Sequence, residues 1–122
     1  MMSILLVIAG LMGAAGITLS AAGVHLYPGA GLDTAGQILL FHAAAVMAIA
    51  GAIDRGLLAR AIGLPAAWGL VFGSLLFAGD ISLPIYAGFG LFPRAAPTGG
   101  MILIVSWIGA AVAAAMPPAK AA

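Results

Sequence analysis

The chain has no cysteine and very little charge: its 122 residues include four Lys or Arg, three Asp or Glu and two His. Without thiols there are no disulfides, no iron–sulfur ligation and no thiol catalysis. The scarcity of charge excludes a water-facing exterior. Soluble domains devote about a quarter of their residues to Asp, Glu, Lys and Arg, whereas here the share is 6%. There is no basic patch, so nucleic acid is excluded as a partner. No paired carboxylates are expected, since Asp33 and Asp54 read as loop residues on opposite sides. The chain also lacks a Ser-His-Asp set with a nucleophile elbow, a Gly-rich phosphate loop and a HExxH helix. These absences predict a protein that is not an enzyme and carries no metal.

What the chain does have is apolar length. It is 65% hydrophobic, with a mean hydropathy of +1.27. Residues 2–24, 36–53, 65–83 and 98–116 form four runs nearly free of charge, each approaching the roughly 20 residues that a helix needs to cross hydrocarbon. The predicted fold is therefore all-α: an integral membrane bundle of four transmembrane helices, one domain spanning residues 1–122. No Lys or Arg precedes the first run, and it is longer than the roughly 7–15 apolar residues of a signal peptide. It reads as a retained helix.

Breakers set the expected boundaries. Tyr27-Pro28-Gly29-Ala30-Gly31 ends the first helix, and Asp33 or Thr34 is the expected cap of the second. Asp54-Arg55-Gly56, Arg60 and Gly63-Leu64-Pro65 separate the second from the third. Pro84 sits near the end of the third, and Pro97 just before the fourth. Phe89-Gly90-Leu91-Phe92-Pro93-Arg94 reads as an interfacial loop, and Pro117-Pro118 as the final stop. Four spans put both termini on one side together with Arg55, Arg60 and Lys120, leaving Arg94 opposite. The excess of positive charge predicts a cytoplasmic location for both termini.

Helices in lipid associate by close packing of small residues, and the chain has 18 glycines. Gly69 and Gly73 form a Gly-xxx-Gly pair; Gly109/Ala113, Ala9/Gly13, Gly10/Ala14 and Gly16/Ser20 are small-xxx-small pairs. They are expected to be seams inside the bundle, with a self-association face as the alternative.

Ionisable groups inside a membrane are costly and therefore mark candidate sites. The candidates are His25, His42, Asp80, Thr98 and, at the boundary, Arg94. At 100° per residue Asp80 shares a face with Gly69 and Gly73, which points it into a helix seam. His42 shares its face with Ile38, Val46 and Ile49, while Ala44, Ala48 and Gly51 lie opposite. His25 closes the first helix. All belong to the outer half of the bundle, so if the first three helices adjoin, His25, His42 and Asp80 form a candidate polar cluster responsive to pH. Two histidines also suit a b-type haem. His42 lies off the small-residue face that would admit the macrocycle, so no cofactor is expected.

Four elements also resemble a known family. They are Gly23-Val24-His25, Phe41-His42-Ala43, Phe77-Ala78-Gly79-Asp80, and Pro97-Thr98-Gly99-Gly100 followed by Trp107. Their order and spacing resemble domain-of-unknown-function family 423, small bacterial inner-membrane proteins similar to the transmembrane protein 256 group. The resemblance spans nearly the whole chain. It implies four transmembrane helices and no established activity, with His25, His42 and a turn at 97–100 carried over. The chain departs from the pattern at Asp80, where a small hydroxylic residue is usual, at Ser82, and at Leu39-Leu40. The expected function is that of a non-enzymatic accessory or scaffolding element of the bacterial inner membrane. Its expected partners are the lipid bilayer and either a larger membrane complex or further copies of the chain. The alternative is a small oligomeric transporter or proton-responsive channel.

Overall fold

The computed structural model describes residues 2–116, which form α1 (Met2–His25), α2 (Leu32–Asp54), α3 (Arg60–Tyr86) and α4 (Ala95–Ala115), with no strand among them. Each helix is long and apolar enough to cross a membrane, as the four runs predict. The expected stop at Pro117-Pro118 and the charge of Lys120 lie outside the described residues.

The starts of three helices differ from expectation, each for a local reason, and α3 also runs past Pro84 to Tyr86. First, α2 begins one turn early. Its N-cap is Gly31 in the left-handed region (φ 88°), with no side-chain cap bond, so neither Asp33 nor Thr34 caps it. Glycine takes that conformation without steric cost, and the early start buries Leu32 completely. Second, α3 begins at Arg60, so Arg60 is helical and Pro65 lies inside the helix. Pro65 has no N–H and leaves the Ala61 carbonyl without its usual i+4 donor. The added turn seats Gly63 against Ile53, where a Cβ would come within 3.1 Å of the isoleucine side chain. Third, α4 begins at Ala95. Pro97 falls in the first turn, where its missing N–H removes no helical bond, and residues 97–100 are helical rather than a turn.

The helices pack in chain order. α1 lies along α2, α2 against α3 and α3 along α4, while α1 meets α3 only lightly. α2 and α3 are accordingly more buried than the flanking pair. The core between them includes Leu5, Met12, Leu39, Val46, Leu70 and Val71.

Backbones come into direct contact at two glycine–glycine crossings and at Gly23, where a Cβ would collide with the Asp33 nitrogen. A Cβ on Gly16 would lie 2.7 Å from the Gly36 carbonyl oxygen, and one on Gly36 would overlap Ser20 Oγ and press on the Gly16 carbonyl. A Cβ on Gly99 would lie 2.7 Å from the Gly73 carbonyl oxygen, and one on Gly73 would lie 3.0 Å from that of Gly99. Beside the second crossing, a Cβ on Gly69 would collide with Ser106 Oγ. The expected seam residues Gly69 and Gly73 are thus the α3–α4 seam itself. Gly109 is looser, with Ala66 Cβ at 3.5 Å from where its own would sit.

The two hairpins are built alike. Each second helix starts from a residue with positive φ, Gly31 at 88° and Arg94 at 66°. Each then buries its first side chain fully, Leu32 and Ala95. Four residues on, each carries the crossing glycine, Gly36 and Gly99.

The outward glycines provide an internal control. Gly10 and Gly100 have nothing near the position of a Cβ. Gly36→Ala and Gly99→Ala are expected to destabilise the bundle by about 1–3 kcal/mol through overpacking. Gly10→Ala and Gly100→Ala should be neutral or slightly stabilising, since alanine is the better helix former. Unfolding of the purified protein in mixed micelles with increasing SDS measures both pairs.

Candidate functional site

His42 is the eleventh residue of α2, at the middle of the helix rather than two turns in, because α2 starts at Leu32. Its face is the buried one: Leu39, Ala43, Val46 and Ile49 are buried with it, while Ala44, Ala48 and Gly51 point outward. The imidazole is 7% exposed. Its Nδ1 lies 2.7 Å from the Ile38 carbonyl oxygen, and its Nε2 lies 3.1 Å from Trp107 Nε1. A carbonyl only accepts and an indole N–H only donates. Nδ1 therefore donates and Nε2 accepts, which fixes the neutral Nδ1–H tautomer. A proton on Nε2 would face the indole N–H and abolish the bond. The rings meet edge to face at 5.9 Å. Broad packing of α4 is with α3 alone, so this pair ties α4 to α2.

Asp80 has a different task. Its Oδ2 accepts a hydrogen bond of 3.2 Å from the Ala96 N–H, in the first turn of α4. The first N–H groups of a helix have no internal acceptor, and Arg94, the N-cap, provides no side-chain bond. The carboxylate of α3 thus caps α4 from a neighbouring helix and adds a favourable interaction with its dipole. The placement in the α3–α4 seam agrees with the face predicted from Gly69 and Gly73. At the opposite end the Ala59 N–H donates to the Ala113 carbonyl at 3.0 Å, so α4 is capped at both ends by the chain flanking and forming α3.

The remaining candidates are exposed. His25, at the end of α1, lines an outward groove of about 620 Å³ with Ile17, Thr18, Leu26 and Tyr86. Tyr86 also meets Tyr27 edge to face at 5.6 Å, and the exposed Phe89 and Phe92 continue this aromatic rim. Thr98 is exposed in the first turn of α4. Thr18 and Ser82 donate to carbonyls one turn back, at 2.8 and 2.7 Å. Ser74 donates to Leu70 at 2.6 Å. Among the described residues His25, His42 and Asp80 do not gather into one set of ligands. Each has its own surroundings.

Trp107 is the partner of His42 that helix-face reasoning missed. A signal was present: an indole N–H in an apolar helix needs an acceptor, and His42 stands at matching depth.

Two expectations follow. His42→Phe leaves the indole N–H of Trp107 unpaired and should cost about 1–3 kcal/mol. His42→Phe with Trp107→Phe should cost less than the sum of the two single changes, read as a double-mutant cycle of unfolding free energies. Asp80→Ala should cost about 0.5–2 kcal/mol, the range for loss of a helix cap, and Asp80→Asn, which keeps an acceptor, should lie between it and the wild type in the same assay.

No curated protein and no solved structure matches the chain. A family model described as "Protein of unknown function (DUF423)" matches residues 12–100. That interval contains His25, His42, Asp80 and both glycine crossings. With most of its length covered, the chain belongs to family DUF423.

Proposed function

We propose that this protein is a non-enzymatic accessory or scaffolding element of the bacterial inner membrane, with both described ends of the bundle facing the cytoplasm. One observation carries the reading. The ionisable side chains set within the helix seams, His42 and Asp80, are already engaged in holding the bundle together. His42 has both ring nitrogens bonded, and Asp80 caps α4.

What the protein offers to its surroundings is apolar helix surface. α1 presents Ile4, Val7, Leu11 and Ile17, and α4 presents Met101, Ile104, Val105 and Ile108, all exposed. Such surfaces suit lateral contact with lipid and with other transmembrane helices. Arg55 at the end of α2 and Arg60 at the start of α3 support a cytoplasmic assignment for that side.

Solubilisation in a mild detergent followed by affinity purification is the test. A defined set of membrane proteins should co-purify, and deletion should lower the abundance of the same set. Recovery of the protein without partners, together with an unchanged membrane proteome, would overturn the reading. So would proton flux in liposomes that His42→Phe removes.

A further inference from the structure

Between α3 and α4, toward the Arg60 end, the seam opens into a recess of about 270 Å³ lined by Ile62, Pro65, Ala66, Val105, Ser106 and Gly109, with Ala61 at its rim. It exists because small residues fall on both helices at one level: Ala66 faces Gly109, 3.5 Å from where a Cβ would be. The rim residues Ala61, Pro65 and Val105 are exposed, so the recess opens toward the bilayer.

Ser106 makes this more than a gap in packing. The residue is 7% exposed and lines the recess. The hydroxyls of Thr18, Ser74 and Ser82 each donate to a carbonyl of their own helix. The Ser106 hydroxyl has no hydrogen-bond partner among the described residues. Leaving such a group unpaired in hydrocarbon is unfavourable. A second polar group borders the same recess, the Ala61 carbonyl, which Pro65 deprives of its i+4 donor.

We propose that this recess binds a small, neutral, lipid-soluble alcohol, whose hydroxyl pairs with Ser106. Size, polarity and access select that class. An apolar cavity of about 150 Å³ takes up benzene, and drug-sized pockets begin at roughly 300 Å³. The recess therefore suits a compact ligand or one end of a longer chain. No charged side chain lines it, so a charged ligand would enter without a counter-charge. The protein atoms on offer are one hydroxyl and one carbonyl. A ligand hydroxyl can accept from the first and donate to a carbonyl, whereas a ligand carbonyl would add a further acceptor. Entry is lateral, from the acyl-chain region.

The experiment uses the full chain reconstituted in phosphatidylethanolamine–phosphatidylglycerol vesicles and 3-azi-1-octanol, an octanol bearing a photoreactive diazirine. After illumination, adducts are mapped by peptide mass spectrometry. Labelling should concentrate on Ile62, Pro65 and Val105, and excess 1-octanol but not octane should displace it. Ser106→Ala should reduce it about fivefold, the weight of one ordinary hydrogen bond, and Ser106→Thr should retain it. Gly109→Val, which fills the recess, should abolish it while helicity by circular dichroism stays unchanged. That variant decides the matter should Ser106→Ala fail to fold. Labelling spread evenly over outward residues such as Ile104 and Ile108, indifferent to Gly109→Val, would overturn the proposal.

Discussion

In hydrocarbon two helices gain nothing from excluding water, so they stay together only where their backbones approach closely enough for dispersion and weak C–H contacts to accumulate. The whole bundle depends on meeting that constraint in both hairpins, at Gly16 with Gly36 and Gly23 with Asp33, and at Gly73 with Gly99. The crossing of Gly73 with Gly99 sets the height of α4 on α3. At that height the Asp80 carboxylate meets the Ala96 N–H, Ser106 lies against Gly69, and Trp107 comes level with His42.

The polar groups then follow a single logic. A group that cannot reach water must find its partner inside the protein. Ser74, Ser82 and Thr18 find one within their own helix, which adds nothing between helices. His42, Trp107 and Asp80 find theirs on another helix, so the same requirement contributes to tertiary structure. α4 benefits most. It is a flanking helix with a modest buried face, yet it is fixed at its start, middle and end. Ser20 and Ser106 are counterexamples, and the Ser20 Oγ is buried against Gly36 without a partner among the described residues. The closeness of that crossing leaves no room for one.

The architecture was legible in the sequence because it rests on composition and length, which a linear reading captures. The four runs became four helices, and the end of α1 differs from expectation by one residue. Boundaries set by proline were misplaced where burial outweighed the lost bond. Pro65 lies inside α3 because an earlier start packs Gly63 on Ile53. Of the site, residue-by-residue angles placed Asp80 on the face of Gly69 and Gly73 and pointed it into a helix seam, which is the one between α3 and α4. They did not reveal what Asp80 bonds, since its partner is a backbone N–H, which every residue but proline carries and no motif marks. His42 was visible as a costly side chain, but its acceptor role required knowing which helix lies opposite. That information exists only once the hairpins have docked.

The repeated construction of the hairpins bears on how the chain reaches its membrane state. Each pair of spans holds its own seam, sealed by residues close in sequence, so a pair can associate soon after it leaves the insertion machinery. The two pairings are joined where α2 packs on α3, the docking of one hairpin on the other. The indole of Trp107, exposed on one side and bonded to the imidazole on the other, sits where that docking occurs and gives it a built-in optical reporter.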